Sequence, residues 1–171
     1  MTMRPILLNS CARAATAAEA RYRIDAPIAP SRGTRVVALD DGAAAVVRRA
    51  AQQHHGGAHF LSCRSVEMPA DGDLAGIADV LLVRDDGSEA RLSAELAGAD
   101  AAVMVATTDE AAAAARAIGD ACTLQGIMTA GLVLAGQDTR VTVSALRPHA
   151  RVLMVTHDEQ DLTELLTALR A

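Results

Sequence analysis

Short, nearly unbroken apolar runs recur along this chain: Arg35–Leu39, Ala58–Cys63, Asp79–Val83, Ala101–Ala106, Ile127–Leu134 and Arg151–Thr156. A strand with one wet face alternates apolar and polar side chains. A run without alternation reads as a strand covered on both faces. Helical patterns separate several of these runs. Ala43–His55 places Val46, Val47 and Ala50 on one face and Arg48, Arg49 and Gln53 on the other, and Gly56-Gly57 stops it. Ser93–Ala97 is a short helix ended by Gly98, and Asp109–Gln125 is closed by Gly126. Asp158–Arg170 carries Leu162, Leu165, Leu166 and Leu169 as a stripe. This alternation predicts a three-layer Rossmann-like α/β domain over residues 35–171, with a mostly parallel sheet of about five to six strands. Gly131 falls inside one of the strand runs, which marks a close approach by a neighbouring group.

Residues 1–34 are less regular. Asp25–Gly33 holds two prolines and a glycine and reads as an extended connector. An arm over 1–34 follows, with Tyr22, Ile24 and Ile28 needing a surface to cover. The Ala-rich helices offer flat faces to a neighbour. Together these features predict a homo-oligomer.

Composition narrows the chemistry. Of the 171 residues, 51% are hydrophobic, enough for the core of one domain. All 16 basic residues are arginine, against 21 acidic ones, for a net charge of −5. Bulk electrostatics will not hold nucleic acid on such a chain. Without lysine, a Schiff base or a P-loop lysine is excluded. Tyr22 and Phe60 are the aromatic residues, too few for base-stacking platforms. Cys11, Cys63 and Cys122 are odd in number and widely spaced, so they read as buried thiols rather than a disulfide framework or zinc site. The apolar run Pro5–Leu8 is too short for a signal peptide, and no stretch approaches a membrane span. A cytoplasmic protein with no membrane partner is expected.

In open α/β sheets, ligands bind beyond the carboxyl ends of the strands. The loops there are acidic: Asp40 and Asp41, then Asp85 and Asp86, then Thr107–Glu110, and finally His157, Asp158 and Glu159. Each acidic or threonine residue can serve as a helix N-cap. The sharper reading is a pocket for Mg²⁺ or a small-molecule ligand, drawn from Asp40, Asp41, Thr108, Asp109, His157 and Asp158. No loop offers G-x-G-x-x-G or G-x-x-x-x-G-K-[ST]. Carboxylates at the helix starts would repel a bare nucleotide unless a divalent cation bridged them. His54, His55 and His59 form a cluster that suits a helix C-terminus, with transition-metal binding as the alternative. Ser62-Cys63 would need an orienting base such as His157 to act as a nucleophile. Arg151–Glu159 resembles the opening of a response-regulator receiver domain. Twelve residues follow Glu159, too few for a phospho-acceptor strand, so the segment reads as strand, acidic turn and helix.

Leu96–Ala106, the helix after it and Gly126–Val133 resemble a segment of the bacterial tubulin-like division GTPases. The order of strand, Gly-containing turn, Ala-rich helix and strand over 34–135 is similar to their nucleotide-binding half. Glycine-rich phosphate loops follow strands one and four in that family. Here those places hold Asp40-Asp41-Gly42 and Thr107-Thr108-Asp109-Glu110. The resemblance therefore implies a nucleotide-binding layout with degenerate phosphate loops, and no site residue carries over. Gly126–Leu134 and Arg147–Arg151 are also similar to small actinobacterial Rossmann-like proteins. Some of these carry the name 3-methyl-2-oxobutanoate hydroxymethyltransferase, a Mg²⁺-dependent β/α-barrel family. A barrel of that kind typically needs about 250 residues. The expectation is a small binding or assembly module without nucleotide-hydrolysis machinery. The alternative is a Mg²⁺-dependent enzyme acting on a small metabolite in an acidic pocket.

Overall fold

A computed structural model describes residues 33–53, 57–67, 79–136 and 138–169. Most of the expected arm, His54, His55 and the loop 68–78 lie outside the described residues. The elements are β1 (Thr34–Ala38), α1 (Asp41–Gln53), β2 (His59–Glu67), β3 (Asp79–Arg84), β4 (Glu89–Arg91) and α2 (Leu92–Leu96). They continue with β5 (Ala101–Ala106), a 3-10 turn at Asp109–Ala111, α3 (Ala112–Gln125), β6 (Met128–Leu134), α4 (Arg140–Leu146), β7 (Val152–Thr156) and α5 (Gln160–Leu169).

The sheet has seven strands in the order β4-β3-β2-β1-β5-β6-β7. The strands from β2 through β1, β5 and β6 to β7 are parallel. β3 is antiparallel to β2, and β4 to β3. The layout is compatible with a Rossmann-like arrangement but exceeds the expected strand count. Asp85-Asp86-Gly87 explains the difference. The Arg84 and Gly87 amides donate to Ser88 and Arg84 carbonyls, and the Ser88 amide donates to Asp86 Oδ1 at 2.8 Å. That tight turn folds the chain straight back as a hairpin instead of into a crossover. β4 has three residues with one buried side chain, Ala90, between exposed Glu89 and Arg91. So short a run has no apolar signature.

Helices cover both faces. α2, α3 and α4 pack on one side with Val37, Leu61, Leu82 and Met104. α1 and α5 pack on the other with Val36, Phe60, Val103 and Leu132. Every residue of β1 and β5 is buried, as unalternated runs require. α1 buries Ala43, Val46, Val47 and Ala50, the i, i+3, i+4, i+7 stripe of a helix lying on a sheet.

An ion cluster joins the hairpin to the parallel strands. Glu95 of α2 is buried, and so is Arg35 of β1. Arg35 Nε donates to the Glu95 carbonyl at 2.7 Å and stands 3.6 Å from its carboxylate. Arg84 of β3 donates through Nε to Glu95 Oε1 at 2.7 Å, and His59 Nδ1 of β2 lies 3.5 Å from Oε2. Arg35 Nη1 is buried with no hydrogen-bond partner. A buried cation held this way depends on its anion. Glu95→Ala is expected to lower stability by about 3–5 kcal/mol, read as a fall in the urea midpoint with m unchanged.

Gly131 of β6 sits directly beneath the chain after α4. A Cβ there would lie 2.8 Å from Leu153 Cδ1 and 3.3 Å from Leu146 Cδ1. Gly131→Val must displace both leucines, so it is expected to cost roughly 1–3 kcal/mol through overpacking. Thermal unfolding reads that as a lower midpoint.

Candidate functional site

β1 has β2 on one side and β5 on the other. The chain leaves β1 toward β2 and, after the hairpin, returns to the far side of β1 as β5. The strand order therefore reverses between β1 and β5. The crevice beyond their carboxyl ends is where a sheet of this kind takes a ligand. The Leu39 amide donates to the Val105 carbonyl at 2.9 Å, which keeps the two strands together up to this point.

Asp40 fills the crevice. Its Oδ2 accepts from the Thr107 amide at 2.7 Å, the Thr108 amide at 3.0 Å and the Thr108 hydroxyl at 3.4 Å. Its Oδ1 accepts from the Thr107 hydroxyl at 2.6 Å and the Ala43 amide at 2.8 Å. One carboxylate thus caps the first turn of α1 and gathers the two amides that open the loop after β5. Gly42 allows the loops to close, because a Cβ there would overlap the Thr107 hydroxyl. Backbone amides beside a helix start are the donors that cradle phosphate in other folds. Here they are occupied by the protein's own anion.

The other expected residues are used loop by loop. Thr108 extends the Asp40 network: its carbonyl accepts from the Thr142 hydroxyl at 2.8 Å. Asp109 Oδ1 accepts from the Val141 and Thr142 amides at 2.8 and 3.0 Å and so caps α4. Asp158 Oδ1 accepts from the Gln160 amide at 2.9 Å, at the start of α5. His157 Nδ1 lies 3.0 Å from the Ala135 carbonyl. Asp41 is exposed in the first turn of α1. The structure therefore joins Asp40 to Thr108 and, through the next residue, to Asp109, whereas His157 and Asp158 belong to the loop after β7. Among the described residues, no group of three or more His, Cys, Asp or Glu side chains is placed to hold a metal ion.

Sequence reasoning missed α4. Thr139, its N-cap residue, makes no side-chain capping bond. The capping carboxylate comes from Asp109, a residue distant in the chain, so no local signal announces the helix.

The structure also separates Cys63 from His157. Their strands, β2 and β7, stand four positions apart in the sheet, about 19 Å at the usual spacing. Burial pushes the Cys63 thiol up to about 11, so it stays protonated at neutral pH and is a poor nucleophile. Burial likewise holds the Cys122 thiol at about 11.

A cleft of about 700 Å³ runs along α1 and over the β2–β3 strands. Ala44, Val47 and Ser62 are among its lining residues, with Arg48, Gln52 and Asp85 adding polar groups. Burial raises the Asp85 carboxyl above its ordinary range; Arg48 opposes that shift and Asp86 adds to it. A carboxylate whose folded pKa is raised weakens the fold when ionised. Its relative stabilising contribution is full below the ordinary aspartate range near about 4 and is lost as pH rises through the raised value. Asp85→Asn is therefore expected to raise the melting temperature at pH 7, and the gain should vanish near pH 3.

No family model, curated protein or solved structure matches the chain.

Proposed function

We propose that this chain is a small cytoplasmic Rossmann-like binding or assembly module without nucleotide-hydrolysis machinery. The Asp40 carboxylate carries the reading. It accepts five hydrogen bonds from Ala43, Thr107 and Thr108 at the point where the sheet would otherwise present free amides to a phosphate. A triphosphate would have to displace an anion already held by charge-assisted bonds, and it would meet that anion's charge as it did so. The cleft beside α1 remains available for a small polar ligand that needs no phosphate cradle. Among the described residues, no helix is long and apolar enough to cross a membrane.

Titration calorimetry with GTP and ATP in excess EDTA tests this. No heat of binding is expected at tens of micromolar protein, and micromolar affinity would overturn the reading. Thermal stabilisation by millimolar Mg²⁺ alone, lost in Asp40→Asn, would instead favour a Mg²⁺-dependent enzyme built on the acidic loops.

A further inference from the structure

Among the described residues, three arginines line the cleft between α1 and the β2–β3 strands, and two of them are committed. Arg64 Nη1 donates to Glu89 Oε1 at 2.8 Å, and Arg84 Nε donates to Glu95 Oε1 at 2.7 Å. Arg48 is the third. The next residue, Arg49, pairs with Glu159 at 2.7 Å, whereas Arg48 donates no hydrogen bond among the described residues. Asp85 stands on the opposite wall, one residue past the end of β3. The two opposite charges attract each other, yet among the described residues they form no direct ion pair. Both residues are exposed, so a ligand can reach them. Partial burial holds the Asp85 carboxyl above its ordinary range in spite of Arg48, as befits an anion without a close cation.

The walls between these charges suit a small ligand. Ala44, Arg48 and Gln52 repeat at four-residue spacing and share one face of α1. Val47 and Val83 add apolar surface, and Ser62, across from Val83 in the β2–β3 ladder, adds a hydroxyl. β2 holds one extra residue here, Arg64, because Cys63 lies across from Leu82 and Ser65 from Leu81. Such a bulge bends its strand, and this one lies in the wall of the cleft.

We infer that the cleft binds a free α-amino acid, with its carboxylate on the Arg48 guanidinium, its ammonium on the Asp85 carboxylate and its side chain along the α1 face. This rests on the binding reading above and names the ligand class. A ligand of one sign is disfavoured. An anion gains Arg48 but meets Asp85 and Asp41, and an amine gains Asp85 but meets Arg48. A ligand with both charges on adjoining groups satisfies both walls at once. The guanidinium takes a carboxylate through two parallel N–H bonds. The cleft of about 700 Å³ has room for the side chain as well.

NMR titration of the full-length chain at pH 7 with each standard L-amino acid tests the inference. At least one is expected to shift the Arg48, Ser62 and Asp85 amides saturably, with a Kd at or below about 1 mM. Its N-acetyl derivative lacks the ammonium and its carboxamide lacks the carboxylate, so each should bind at least tenfold more weakly. Arg48→Gln should weaken the free amino acid at least tenfold and leave the carboxamide unchanged. Asp85→Asn should do the same and leave the N-acetyl derivative unchanged. Asp85→Asn is expected to be the more stable protein at pH 7, so lost binding there is not lost folding. No saturable shift with any amino acid at about 10 mM would overturn the inference, and so would shifts outside the cleft or equal binding of free and blocked forms. None of these results touches the parent reading, which falls only if the nucleotide calorimetry shows binding.

Discussion

A single half-buried carboxylate organises the carboxyl end of this sheet. Asp40 ends β1, starts α1 and holds the loop that leaves β5. The contact spreads from there. Thr108 accepts from Thr142, and Asp109, the next residue, caps α4, so two loops and two helix starts are set by adjoining hydrogen bonds. Each is a modest interaction alone, and each orients the donors of the next. The same geometry that makes the turn tight also commits the backbone amides of Ala43, Thr107 and Thr108 to the Asp40 carboxylate.

Much of the layout was legible because burial leaves a plain mark. β1 and β5 are covered on both faces, and their runs lack polar alternation. α1 and α5 lie on the sheet by one face, and their apolar spacing is helical. What the sequence hid was non-local. The direction of β3 depends on a turn that could equally have opened a crossover, and Asp85-Asp86-Gly87 reads as a turn either way. β4 is too short to show a period. α4 is written in β-branched residues and capped by a carboxylate from another loop, so its local propensity argues against the helix that tertiary contacts impose.

The candidate site was legible as a set of residues more than as an arrangement. The acidic residues were placed after the right strands, and the capping role describes Asp40 and Asp158, each at the start of the helix that follows it, whereas Asp109 caps α4 instead of its own helix. Their partners were not readable. Which of two adjacent aspartates turns inward depends on the path of the β1–α1 turn, and Gly42 permits that path only because the Thr107 hydroxyl needs the space. Sequence spacing carries no such information.

The ion cluster under α2 bears on how the molecule comes apart. The β3–β4 hairpin hangs on the parallel strands through one ladder, to β2. A hairpin joined by one ladder can open as a separate unit of exchange, even with Val80 and Leu82 packed in the core. Glu95 opposes that separation. It grips Arg84 in the hairpin and Arg35 in the middle of the sheet, so lifting the hairpin must either break the Arg84–Glu95 pair or draw Glu95 off the buried Arg35 guanidinium. Peripheral and central strands are thereby tied by a buried carboxylate as well as by packing, which favours their opening together.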